Sequence, residues 1–256
     1  MRFDGYSTQF QQALVLTWAN LKTRYRNTYS GLVWVVLNPL LLFGAQAFVF
    51  HFLLHINVEK YPLFLLSGLL PWIFVTQSVE MGTGSLVTHG RLLKSFPIHP
   101  FVILTSQIVD NLINFFLSFT IVLIPTALYY GFSTIRILLI PLAALPLLIF
   151  VVSLVFVLAT INVFLWDTRF VATFFMNIAY YLTPIIYPVE MLPPSFRNYV
   201  CFNPFFCVLN PFQIAVNGDL SRFGASLILA WVVAVGFTAL AFSTWRGLKN
   251  EFYYYL

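Results

Sequence analysis

The sequence predicts an all-α integral membrane protein. It is read as six transmembrane helices, an N-terminal amphipathic interface helix, and short external re-entrant or gate-like helices between the fifth and sixth spans. Three observations predict it. Of 256 residues, 60% are hydrophobic and only 8% are charged, too few polar groups to cover a soluble globule of this length. Uncharged runs recur at or above the ~20 residues that a helix needs to cross ~30 Å of hydrocarbon. The 13 basic residues fall between those runs with a bias to alternate connections. The organisation is one domain over 1–256, with an interface helix in 1–29, the six-span bundle in 30–248 and a cytoplasmic tail in 249–256.

Before the first span, Phe10, Leu14, Trp18, Leu21 and Tyr25 recur at helical spacing, with Gln11, Gln12, Asn20, Lys22 and Arg26 on other faces. The pattern suits a helix lying in the membrane interface, and equally an amphipathic helix packed on a protein partner. Lys22, Arg24 and Arg26 then precede 32 residues without charge, Asn27 to Val58, which places this junction on the cytoplasmic side. No A-x-A-like cleavage site precedes the run, so the N-terminus is expected to be retained. Gly31 to Leu54 is the first span, and Asn38-Pro39 within it removes a helix hydrogen bond and predicts a bend. His51, His55 and Glu59 follow at i, i+4 and i+8, a spacing that can hold a metal and that interfacial polar residues also show; no metal site is assigned to them.

Tyr61 to Val79 is the second span. The segment from Glu80 to Pro100 returns to basic, proline-bearing sequence, and Arg91 and Lys94 mark it as cytoplasmic. Its Leu92, Leu93 and Phe96 fit either a short helix docked on a partner or a plain connection. The third span, Phe101 to about Tyr130, carries Gln107, Asp110, Asn111, Asn114 and Ser118 as one polar stripe at spacings of three and four. Such a stripe serves a polar path or interhelical hydrogen bonding. Ile137 to Trp166 is the fourth span, and Trp166-Asp167-Thr168-Arg169 a tight cytoplasmic turn. Phe170 to Val189 is the fifth, expected to stop or kink early at Thr183-Pro184 and Tyr187-Pro188.

The next uncharged run, Asn198 to Gly218, contains Asn203, Pro204, Asn210, Pro211, Gln213 and Asn217, a costly set for a lipid-facing helix, so Glu190 to Arg222 reads as external or re-entrant. Phe223 to Trp245 is the last span, followed by Arg246 and Lys249. Counting basic residues on this plan gives nine inside and four outside, which favours both termini in the cytoplasm. Cys201 and Cys207 could bridge only across a turn at Asn203-Pro204, and free, buried thiols are expected.

The chain has no G-x-x-x-x-G-K-[ST] loop, no H-E-x-x-H, no G-x-S-x-G and no Cys/His cluster with zinc spacing. Its basic residues are spread thinly, which argues against a nucleic-acid surface. ATP-driven work would therefore need a separate ATPase docked at cytoplasmic segments such as Arg91 to Pro97. Aromatic rings offer flat faces for stacking on sugars, while Arg24 and Arg26 could engage phosphate.

The ordered motifs RYRNTYSGLVW with Asn38-Pro39, YPLFLLSGLLPWIF from Tyr61, Leu92 to Pro97, the Asp167 turn, YLTPIIYPVEMLP from Tyr181, and Asn203-Pro204 cover most of the chain. In that order the sequence resembles the permease subunits of type-2 ABC exporters, particularly those for O-antigen, capsule or teichoic-acid polymers. One departure is that the Arg-Asp turn of the family stands here as Trp166-Asp167, with Arg169 two residues on. The resemblance implies a transport subunit, not an enzyme, in the cell inner membrane. It implies a homodimer with two ATPase subunits that hold ATP and Mg²⁺, no cofactor in this chain, and a dimer-interface channel for an undecaprenyl-type lipid-linked glycan. It further implies a substrate channel at Trp34, Asn38, Asn177, Tyr180, Tyr181 and Tyr187, and a lipid-phosphate entrance at Lys22, Arg24 and Arg26. ATPase docking is implied at Arg91, Leu92, Lys94, Phe96, Asp167 and Arg169. A drug or small-lipid exporter shares the six-span plan. By class, a secondary carrier coupled at Asp110 and a membrane-embedded lipid-phosphate enzyme are the alternatives.

Overall fold

The computed structural model describes residues 11–13, 15–19, 31–53, 55, 60–96, 98–131 and 133–256, and every regular element among them is helical. In chain order the helices are α1 (Gly31–Ala47, continuing as a π-helix Phe48–Leu53), α2 (Tyr61–Thr83), α3 (Ser85–Thr88), α4 (Gly90–Ser95) and α5 (Pro100–Tyr130). They continue with α6 (Thr134–Phe164), α7 (Thr168–Leu182), α8 (Pro194–Cys201), α9 (Pro204–Asn217) and α10 (Phe223–Tyr255). Short 3-10 turns lie at Val189–Met191 and Leu220–Arg222.

Among the described residues four helices, α2, α5, α6 and α10, are long and apolar enough to cross a membrane. The six-span expectation therefore turns on α1 and α7, which are shorter. The apolar part of α1 is Leu37–His51, and α7 has 15 residues, a rise of ~22 Å against ~30 Å of hydrocarbon. The early stop of α7 falls where Thr183-Pro184 predicts it. The run 198–218 is no continuous helix: α8 and α9 meet at 97°.

The proline and asparagine motifs have local work. Asn203 caps α9 by accepting from the Phe205 N–H at 3.0 Å, and its amide donates to Thr183 Oγ1 at 2.9 Å, tying the bend to the end of α7. Pro204 then takes the first turn of α9, where a missing N–H is harmless. At the other end of α9, the Arg136 guanidinium donates to the carbonyls of Ile214 (3.1 Å), Ala215 (3.3 Å) and Gly218 (3.1 Å), satisfying groups a helix end leaves open. His99 starts α5, its Nδ1 accepting from the Phe101 N–H at 3.2 Å ahead of Pro100.

The core is built around α2 and α6. The apolar window of α2 is 72% buried, against 28% for α5 and 22% for α10, which face outward. Small residues let the helices close up, as membrane bundles require in place of a hydrophobic drive. Ser226, Ala230, Ala234 and Ala241 form the buried face of α10, and Ser153 of α6 lies 2.9 Å from Thr238 in a hydroxyl–hydroxyl bond. Gly82 of α2 faces Val155 of α6.

Residues 11–13 and 15–19 are helical. Their inward face is Ala13 and Thr17, whose Oγ1 donates to the Ser106 carbonyl of α5 at 3.4 Å, while Trp18 is 72% exposed. The described part of this helix thus leans on α5 through small residues and turns its indole outward.

Candidate functional site

Between α1, α2 and α5 lies a cavity of about 440 Å³. Trp34 and Asn38 of α1, Gln77 and Glu80 of α2, and Asn111 and Asn114 of α5 line it. Spacings of three and four put each pair on one face of its helix. Ser118, one turn beyond Asn114, joins the same wall, and Leu70, Phe74 and Phe115 supply its apolar part. Asn111 is 1% exposed and Ser118 2%, and neither the Asn111 amide nor the Ser118 hydroxyl has a hydrogen-bond partner among the described residues. A buried polar group in that state costs ~1–3 kcal/mol.

At one end of the bundle, α3, α4, the Asp167 turn and the end of α10 converge. The Arg169 side chain lies against Gly84, its Cδ 3.4 Å and its Nη1 3.5 Å from where a Cβ would stand there. Leu256 packs in the same way on Gly90, and the Phe164 and Tyr255 rings are 5.0 Å apart. Arg91, Lys94, Phe96, Asp167 and Arg169 are exposed here, and Leu92 is half-buried. An open groove of about 700 Å³ runs between Leu93–Phe96, His99 and Tyr253. The segment around Leu92 is helical, so of its two sequence readings the short helix is the one that forms.

The aromatic residues of α7 divide. Tyr180 is half-buried and donates to Gln46 Oε1 of α1 at 2.8 Å, with its ring 6.0 Å from Trp72. Tyr181 is 68% exposed, and its carbonyl accepts from the Tyr187 hydroxyl at 2.8 Å. Tyr187 lines a second, apolar cavity of about 720 Å³ shared by α6, α7, α8 and α10. Asn177 is on the exposed face of α7.

Comparison with known proteins decides the family. The model of the ABC-2 type transporter family matches residues 11–217. The chain belongs to that family. Among relatives of this ABC-2 transporter chain, the O-antigen export system permease protein RfbA of Myxococcus xanthus is 30% identical over 247 residues, 95% of each chain. An O-antigen export system permease protein RfbA of Klebsiella pneumoniae is 26% identical over 245 residues, 95% of this chain and 94% of its own. The polysialic acid transport protein KpsM of Escherichia coli is 23% identical over 234 residues, 89% of each.

Against the sequence expectations, the ABC-2 chain unites two groups and separates a third. Trp34 and Asn38, expected in a channel, share one cavity with Asn111 and Asn114 of the polar stripe. Gln107 is half-buried and Asp110 wholly buried on α5, and neither lines that cavity. The six residues expected in a channel do not form one lining within a single copy. Gln77 lies inside the second span and was not singled out, and Glu80 falls just past the expected end at Val79, whereas α2 continues to Thr83; their i, i+3 spacing was the available signal. Lys22, Arg24, Arg26 and Glu59 lie outside the described residues. The His51/His55 helical face does not form: the chain takes a π-turn through His51, His55 follows at φ 50°, and the His51 ring stacks on Tyr61 at 5.9 Å. Both cysteines are free, but only Cys207 is buried; Cys201 is exposed, and its carbonyl accepts from Cys207 Sγ at 3.2 Å across the bend.

Proposed function

We propose that this chain is the membrane-spanning subunit of an ATP-driven exporter. Two copies, with two ATPase subunits, would move a lipid-linked polysaccharide of O-antigen type out of the cytoplasm. The observation that carries the proposal is the convergence of α4, the Asp167 turn and the end of α10 on one exposed, basic face. A chain without a nucleotide-binding loop needs such a face to receive work done elsewhere. On this reading Arg91, Lys94, Phe96, Asp167 and Arg169 meet the ATPase, where ATP and Mg²⁺ are held. The same end is cytoplasmic, α1 and α7 complete six crossings of the inner membrane, and Lys22, Arg24 and Arg26 guide the lipid diphosphate to a path between the two copies. The relatives named for O-antigen export and polysialic acid transport, matched over 89–95% of this chain, support polysaccharide as cargo.

The test is co-expression with a candidate ATPase subunit of a polysaccharide exporter, purification as a complex in nanodiscs, and measurement of ATP hydrolysis with and without lipid-linked glycan. Stimulation by glycan is expected. Arg91→Glu with Lys94→Glu is expected to reduce co-purification of the ATPase several-fold at unchanged expression. Undiminished assembly in the double variant would remove the docking face, and hydrolysis indifferent to glycan would remove the cargo.

A further inference from the structure

We infer that the cavity between α1, α2 and α5 is a binding site for an uncharged sugar ring, built within one copy of the chain. The inference rests on the export reading and names the part of the cargo that a single copy grips. Four neutral amides, those of Asn38, Gln77, Asn111 and Asn114, line the cavity. Each offers donors and an acceptor together, which is what a ring of hydroxyls requires. The Asn111 amide and the Ser118 hydroxyl are buried in its wall without a partner among the described residues, so a ligand that both donates and accepts relieves a cost already present. Trp34 is 57% exposed and lines the same space with Phe74 and Phe115, giving flat apolar faces for the C–H side of a sugar. The volume, about 440 Å³, lies within the range of small-molecule sites.

Charge selects against the other candidates. Among the described residues the lining contains one carboxylate, Glu80, and no lysine or arginine. A phosphate would meet repulsion and no charge-assisted donor. A hard cation would find a single carboxylate where oxygen-rich cages use several. A lipid tail would leave the amides unsatisfied.

The test is saturation-transfer NMR on the full-length chain in nanodiscs, probed with the methyl glycosides of glucose, galactose and mannose and with glucose 1-phosphate. Glycan-stimulated ATP hydrolysis is measured in parallel on the complex with its ATPase. At least one methyl hexoside is expected to bind, and glucose 1-phosphate several-fold more weakly. Asn111→Leu should weaken hexoside binding about tenfold, the scale of a lost buried hydrogen bond. Glu80 is at an exposed position where folding is not at stake, and Glu80→Gln should narrow the gap between hexoside and sugar phosphate. No signal above empty nanodiscs, preference for the phosphate, or equal binding by the Asn111→Leu and wild-type chains would each overturn the site, leaving a water-filled cavity. Hexoside binding without glycan-stimulated hydrolysis would uphold the site and remove the export reading. Stimulated hydrolysis without hexoside binding would do the reverse.

Discussion

At Gly82 a methyl group would overlap Val155 Cγ1, so α2 and α6 meet where only a hydrogen fits. Gly82→Ala is expected to destabilise the bundle by ~1–3 kcal/mol through overpacking. The effect would be read as a lower midpoint in thermal unfolding followed by size-exclusion chromatography, and Val155→Ala in the same chain should restore it. An unchanged midpoint in the single variant would mean that the two helices can part without cost. Nothing about Gly82 in the sequence foretells this contact, because its partner lies 73 positions away on a uniformly apolar helix. Asn203 is the opposite case. An asparagine before a proline after an apolar span is legible as a helix start, and the cap is found there. Asn111 and Asn114 were legible as a stripe by their spacing alone, whereas Glu80 was not, since a carboxylate after an apolar run looks the same at the end of a helix and at the start of a loop.

Among the elements, α5 begins at a titratable residue whose side chain caps the helix. His99 accepts the Phe101 N–H and sits edge-to-face with Trp245 of α10 at 5.5 Å. Partial burial holds its imidazole below the ordinary value, so the fold favours the neutral ring. Protonation on unfolding then works against the native state, and stability present above about pH 6.5 is lost as pH falls through the lowered folded value. It would also remove the acceptor that caps the helix. The thermal midpoint should therefore drop as pH falls below about 6.5 in the wild type, and less in His99→Asn, which can accept without titrating. Identical pH profiles would assign the acid sensitivity to another group. Element existence was largely legible: charge-free length located α2, α6 and α10, an apolar run interrupted by the single charge of Asp110 located α5, and prolines located the stop of α7 and the break at Asn203. The register of α1 past Ala47 was not, since reading His51 and His55 as one face assumes a 3.6-residue period, and the π-turn has a longer one.

For the whole molecule, the exposed basic face depends on the far end of the chain as much as on α4. Leu256 rests on Gly90 and the Tyr255 ring lies 5.0 Å from Phe164, which hold the last turns of α10 beside α4 and the Asp167 turn, and Phe252 in the same turns is completely buried. Phe252→Ala is expected to lower ATPase co-purification while the helical circular dichroism of the permease is retained; full assembly would show that the face stands without α10. The sequence placed Arg91, Asp167 and the C-terminal basic residues on one side by charge, but it held no sign that Leu256 would rest on Gly90. The bend between α8 and α9 bears on sidedness through simple counting. The Phe164–Tyr255 contact puts the start of α7 and the end of α10 at one end of the molecule, and the Arg136 contacts put the end of α9 at the other. The stretch from α7 through α9 thus runs from one end of the molecule to the other, and α10 runs back. Labels attached near Gly218 and near Tyr255 should then be reached from opposite aqueous compartments, and reaction of both from one side would mean that α10 does not cross.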